Sequence, residues 1–87
     1  MKIGFAKDAE KQFKKLPKVA QVIVTKRIRQ LHADQYIQTE KLTSYKGLYR
    51  TRVGQYRIVY RKLTNRLVVV LTGHRKEVYK ILKSILR

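Results

Sequence analysis

The sequence predicts an α+β fold: a small, twisted, mainly antiparallel sheet of about four strands, with an N-terminal αα-hairpin and a C-terminal helix, in the order β-α-α-β-β-β-α. Three observations lead there. Apolar residues recur at helical spacing before residue 33, switch to a period of two over 48–62, and return to helical spacing after residue 77. Pro17 breaks the first helical stretch, and Gly54-Gln55 breaks the alternating one. Leu67-Val68-Val69-Val70-Leu71 is a short apolar run of the kind that fills a strand covered on both faces. The 87 residues suffice for one compact domain, 1–87, with a modest core.

Taken in order, residues 2–5 form a short first strand that feeds a charged helix over about 7–15. Ala9, Phe13 and Leu16 follow helical spacing there, with Lys and Gln facing outward. Pro17 disfavours helical geometry at Leu16 and suits the first position of a new helix. That second helix runs to about Ala33, with Ala20, Val24, Ile28 and Leu31 on one stripe. His32, near its end, reads as a capping or surface residue. Residues 34–47 read as a polar connection. The hairpin follows, with strands 48–53 and 56–62 and Gly54 in the first position of a two-residue turn. One face of it carries Tyr49, Thr51, Val53, Tyr56, Ile58 and Tyr60, suited to packing on the helices. Thr64-Asn65 marks another tight turn, and Gly73 is expected to end the third strand. In the last segment Val78, Ile81, Leu82, Ile85 and Leu86 share a stripe opposite Lys80, Lys83 and Arg87. At about eleven residues this helix is suited to covering the sheet or a partner's groove rather than a membrane. The helices are expected on one face of the sheet, leaving the other basic and open.

Charge is the strongest functional signal. Twenty-two Lys plus Arg against five Asp plus Glu give a formal net charge of +17. That density opposes compaction and attracts polyanions, nucleic acid first among them. Residues 41–76 hold ten Lys or Arg and no Asp or Glu. Within that run, the hairpin register sets Arg52 opposite Arg57, with Arg50 on the same face. Like charges across a strand pair destabilise a sheet, so an external anion is needed to balance them, and nucleic-acid phosphate fits. With no cysteine, and two distant histidines, the chain offers no disulfide and no metal site. The N-terminus lacks a signal-peptide core and no segment approaches a membrane span, so a soluble, cytoplasmic protein is expected.

The open face is expected to carry Arg50, Arg52, Arg57 and Arg61, with Arg75 and Tyr79 following the third strand into the same neighbourhood. Guanidinium groups bind phosphate bidentately and stay charged. Tyr79 offers a ring to stack on a base or a hydroxyl to position a phosphate. His74 is the nearby side chain whose ordinary pKa lies near neutrality. A solvated cationic face, with Tyr79 anchoring the last helix, is the alternative. No carboxylate pair, Ser-His-Asp set or glycine-rich phosphate loop is present, and Glu77 suits the start of a helix.

The string Leu48-Tyr49-Arg50-Thr51-Arg52-Val53-Gly54-Gln55-Tyr56-Arg57-Ile58-Val59-Tyr60, with His74-Arg75-Lys76-Glu77-Val78-Tyr79, resembles the RelE/ParE toxin superfamily, and RelE-type toxins most closely. The resemblance spans the whole chain in length and element order. It implies a RelE-like microbial RNase fold and a bacterial or archaeal toxin paired with an antitoxin. RelE-type members enter the ribosomal A site and cleave mRNA by attack of the substrate's own 2′-hydroxyl on the adjacent phosphorus, with no metal or other cofactor. Carried onto this chain, the catalytic residues are Arg50, Arg52, Arg57, Arg75 and Tyr79, with His74 a candidate acid or base; Arg61, Lys46 and Lys76 would bind RNA. The family's RelE pattern has lysines where Arg50 and Arg52 stand, and arginine does not act as a base at physiological pH. The implied partners are the 70S-type ribosome with its mRNA and an antitoxin with an acidic segment, in a hetero-oligomer away from membranes. Two alternatives remain from the residues: a ParE-like poison of DNA gyrase without nuclease activity, and a non-catalytic nucleic-acid-binding module.

Overall fold

The computed structural model describes residues 2–33, 39–42 and 47–85, with backbone alone at Glu40 and Ile85. Strand β1 (Lys2–Phe5) leads into helices α1 (Lys7–Lys14) and α2 (Lys18–His32). Strands β2 (Thr39–Lys41), β3 (Leu48–Val53), β4 (Tyr56–Leu63) and β5 (Arg66–His74) follow, and helix α3 (Arg75–Ile85) closes the chain. The strands form one sheet in the order β1-β5-β4-β3-β2. β1 runs parallel to β5, and every other neighbouring pair is antiparallel. The α+β class and its mainly antiparallel sheet are as the sequence predicts, with one short strand more. Thr39–Lys41 falls in the expected polar connection and pairs with Tyr49, Arg50 and Thr51. Its residues carry no apolar alternation, so only backbone pairing reveals it.

Pro17 is the N-cap of α2, at φ −55° and ψ 150°, and so begins the helix as its fixed φ allows. Gln21 closes the joint between the helices: its Nε2 donates to the carbonyls of Leu16 at 3.0 Å and Lys14 at 3.3 Å. The predicted stripe Ala20, Val24, Ile28 and Leu31 is buried in full. Val24, Ile28 and Leu31 of it, with Ala9 of α1, pack on Val53, Ile58, Tyr60, Leu67 and Val69, and Tyr49 and Tyr56 flank this cluster. Each large aliphatic side chain buried there contributes about 1.5–3 kcal/mol, which offsets the self-repulsion of the surface.

The second face differs from the expectation. Val78 and Leu82 of α3 pack on Leu48, Val59 and Leu71, so α3 covers the face opposite α1 and α2. The cause is an irregularity in β5. Val59 pairs with Leu71 but Tyr60 pairs with Val69, leaving Val70 as an extra residue. A bulge of this kind reverses which side chains face which layer. Leu67 and Val69 therefore serve the first core and Leu71 the second. Nor does Gly73 end β5, which pairs on through His74. α3 begins at Arg75, two residues before the expected start at Glu77. The Leu86 end of its predicted stripe, and the side chain of Ile85, lie outside the described residues.

Candidate active site

The β3–β4 hairpin pairs as the sequence predicts, with Arg52 opposite Arg57 and Val53 opposite Tyr56. Gly54 sits in the turn at φ +59°, a conformation that disfavours residues with a Cβ. Arg50, Arg52, Arg57 and Arg61 alternate onto the α3 side of the sheet, where Arg61 pairs with Leu48. There they differ in burial. Arg52 and Arg61 are exposed, Arg50 is half-buried, and Arg57 is only 5% exposed. The expectation that Arg57 stands on an open face is thus corrected: α3 and the turn enclose it.

Three hydrogen bonds hold Arg57. Its Nη1 donates to the carbonyls of Gly54 at 3.0 Å and Tyr56 at 2.9 Å, and its Nε donates to the Tyr79 hydroxyl at 3.0 Å. The guanidinium carbon also lies 5.7 Å from the centre of the Tyr79 ring, and that of Arg50 lies 5.2 Å from it. Both distances are within cation–π range. Tyr79 is therefore the hub of the cluster, gathering two arginines from adjacent strands around one ring. The backbone N–H of Arg75 donates to the Gln55 carbonyl at 2.8 Å, so the start of α3 is tied to the hairpin turn. Tyr79 follows Arg75 by four residues and lies on the same side of the helix.

Electrostatics follow from this arrangement. The hydrogen bond from Arg57 holds the Tyr79 phenol below the usual tyrosine value; burial opposes it, and the charges of Arg50, Arg57 and Arg52 add to the lowering. Tyr60, in the other core, is pushed the opposite way, chiefly by burial. Of these two tyrosines, then, the one among the arginines is the easier to ionise. The cluster favours negative charge and offers an ionisable hydroxyl beside fixed guanidinium groups.

Other predicted residues stand further off. His74 pairs with Tyr56, one register step from the Arg57–Gly73 pair, so it alternates to the opposite side of the sheet. Its ring meets Tyr56 edge-on at 6.1 Å, and its Nδ1 accepts the Lys76 backbone N–H at 3.2 Å, capping α3. Arg75 and Lys76 are exposed on the first turn of α3. Lys46 lies outside the described residues. Two positions were missed by sequence reasoning. Glu40 of β2 pairs in register with Arg50, so the acid-free run meets an acidic residue across the sheet. Arg27 of α2 reaches the end of β3, where its Nη1 donates to the Arg52 carbonyl at 2.9 Å and to Thr51 Oγ1 at 3.3 Å. Only tertiary packing brings these residues together, so no local pattern announces them. Among the described residues no group of three His, Cys, Asp or Glu is placed to hold a metal ion, and no helix is long and apolar enough to cross a membrane.

Residues 3–79 match the family described as the ParE toxin of the type II toxin–antitoxin system, parDE. The chain belongs to the ParE toxin family. The resemblance to the RelE/ParE superfamily is thereby borne out, and the chain is a toxin of a toxin–antitoxin system. Among solved structures, it is similar to the RelB–RelE antitoxin–toxin complex of Methanococcus jannaschii, at 26% identity and a TM-score of 0.67, over 90% of this chain and 96% of that one. The isolated RelE toxin of E. coli shares 24% identity with a TM-score of 0.73, over 95% and 96% of the two chains. The archaeal RelE–RelB complex of Pyrococcus horikoshii shares 21% identity with a TM-score of 0.68, over 85% and 93%. No curated protein sequence is a significant match.

Proposed function

We propose that this one-domain toxin is an endoribonuclease that cuts mRNA in the ribosomal A site and so halts translation in the cytoplasm. The observation that carries this reading is the convergence of Arg50, Arg57 and Tyr79, with Arg52 opposite Arg57, on one side of the hairpin. In the reaction the 2′-oxygen of the substrate attacks the adjacent phosphorus while the bond to the 5′-oxygen breaks. The products are a 2′,3′-cyclic phosphate and a 5′-hydroxyl. Negative charge concentrates on the pentacoordinate phosphorus, and preorganised guanidinium groups stabilise it more than they do the ground state. Because the nucleophile belongs to the substrate, the chemistry calls for no metal-bound water.

Arginines at positions 50 and 52 cannot take the 2′-hydroxyl proton at physiological pH. Tyr79 is the group in the cluster whose environment favours ionisation, so its phenolate is assigned as proton acceptor. Arg75, exposed one helical turn before Tyr79, is assigned to stabilise the departing 5′-oxygen, to which solvent delivers a proton, and Arg61 with Lys76 and Lys46 extends the grip on the RNA backbone. His74 serves α3 through its cap. An antitoxin with an acidic segment neutralises the face between episodes of activity, since a free chain at +17 binds RNA indiscriminately.

A second reading, poisoning of DNA gyrase through protein contacts, is favoured by the ParE description of the matched family. Primer extension on ribosomes programmed with a defined message, with naked RNA as control, separates the two. A ribosome-dependent cut within the A-site codon supports the nuclease. No cut on either substrate, together with gyrase inhibition, overturns it.

A further inference from the structure

Arg52 and Arg57 face each other across the last rungs of a hairpin closed by two residues, and their mutual repulsion acts to splay the strand ends. Arg57 is held in place by its bonds to Gly54, Tyr56 and Tyr79. Arg52 sits on the other strand, exposed beside the turn. Its carbonyl accepts from a side chain of the opposite layer: Nη1 of Arg27, at 2.9 Å, with Thr51 Oγ1 as a second acceptor at 3.3 Å. Thr51 is 1% exposed and points into the α2 side of the sheet, so Arg27 approaches from behind the site.

We infer that Arg27 is a positioning residue for the cleavage reaction: it fixes the backbone at Arg52 from the rear of the sheet, and so sets the Arg52 guanidinium against Arg57 and Tyr79. The inference rests on the nuclease reading and adds to it a residue outside the phosphate-binding face. Arg27 touches neither substrate nor reacting atoms. Its bond to a main-chain oxygen constrains the strand on which Arg52 rides, and a displacement of about 1 Å in a positioned group costs roughly a hundredfold in rate. One charged nitrogen, Nη1, serves the carbonyl and the hydroxyl together, and a charged donor makes the stronger bond.

The test compares wild type, Arg27→Met, Arg27→Lys and Arg29→Met in single-turnover cleavage on programmed ribosomes. Arg29→Met removes the same charge from the same helix at an exposed position. Thermal unfolding is followed in parallel, and binding is measured on ribosomes carrying a message with 2′-deoxy nucleotides in the A-site codon. The expected result for Arg27→Met is a loss of roughly tenfold to a hundredfold in saturating rate, with binding of the uncleavable message within about threefold of wild type. Arg27→Lys, which keeps a donor for the carbonyl, recovers most of the rate, and Arg29→Met stays within about twofold. A folded Arg27→Met cutting at the wild-type rate overturns the inference while the nuclease reading stands. If Arg27→Met does not fold, Arg27→Gln, which keeps a shorter and uncharged donor, decides: a rate lowered at saturation with binding intact supports positioning, and a wild-type rate or a loss confined to binding refutes it. Absence of cleavage by wild type removes the nuclease reading and this inference with it.

Discussion

Replacing Tyr79 with phenylalanine removes one oxygen and keeps the ring, so it isolates the hydroxyl from the cation–π contacts of Arg50 and Arg57. Two effects follow, of different size. For stability, the Nε–H of a buried guanidinium loses its acceptor. A hydrogen bond to a charged group contributes about 1.5–3 kcal/mol, but the phenol is 36% exposed and water replaces part of it, leaving a net loss of about 1 kcal/mol. In a domain of this size that lowers Tm by about 4–8 °C. For catalysis, loss of the proton acceptor costs about a hundredfold, or about 2.7 kcal/mol of barrier, at the lower end of general acid–base effects. The pH profile discriminates further. Arg57 and its neighbours lower the Tyr79 pKa by favouring the phenolate. The wild-type rate therefore rises with pH and levels off below the ordinary tyrosine value of about 10, and the variant lacks that rise. Linkage has the same sign: the stability owed to the phenolate is full above about pH 10 and is lost as pH falls through the lowered folded value. The assay is single-turnover cleavage on saturating programmed ribosomes from about pH 6 to about pH 9, with Tm measured on the same samples. A variant that cuts within threefold of wild type across that range, with the same profile, refutes the assignment of Tyr79 as proton acceptor.

Arg57→Met should abolish cleavage and also lower Tm by about 10 °C or more, because it strips two turn carbonyls and Tyr79 of a buried donor; circular dichroism would find an unchanged Tm if the arginine were merely surface charge. Arg75→Ala, at an exposed position, should abolish cleavage with Tm unchanged, and normal cutting would remove it from the site. Arg61→Ala should lower the salt dependence of single-stranded RNA binding by about 0.7 in log–log slope, one phosphate contact's share, as read by fluorescence titration; an unchanged slope would place Arg61 off the RNA path. Ile58→Ala, at a position with no exposure, should cost about 2–5 kcal/mol, measured by urea unfolding, and a loss below about 1 kcal/mol would mean the α1–α2 core is looser than its packing implies.

Most of the fold was legible because its elements satisfy local rules. The α2 stripe follows the 3.6-residue period, Pro17 starts a helix where proline belongs, and Gly54 takes the turn position whose φ it alone tolerates easily. The arginine pairing was legible for the same reason, since a two-residue turn fixes register and register fixes faces. What escaped depends on contacts made across the sheet. The bulge at Val70 lies inside five consecutive apolar residues, where every side chain suits either face, so no pattern marks the residue that reverses the alternation. Thr39–Lys41 is polar throughout and is recruited only by the exposed edge of β3. The bond between Arg27 and Arg52 joins residues 25 apart in sequence.

The bulge decides more than the position of one helix. Without it, β5 would keep one alternation from Leu67 to His74, and Leu71 would point toward α1 and α2 together with Val69. With it, Leu71 joins Leu48 and Val59 as an apolar floor on the far side, and Val78 and Leu82 dock there. Docking on that floor carries Tyr79 over Arg57 and Arg50. A helix covering the other face would leave three arginines with no phenol among them and no ionisable group to accept a proton. The same register assigns Gly73, rather than a larger residue, to the place opposite Arg57 and turns His74 to the other side of the sheet. The proposed chemistry therefore depends on one inserted residue in β5. Deleting Val70 should return the strand to simple alternation, unseat α3 and eliminate cleavage, while the hairpin arginines continue to bind RNA backbone; a deletion variant that still cuts would show that Tyr79 is dispensable to the site.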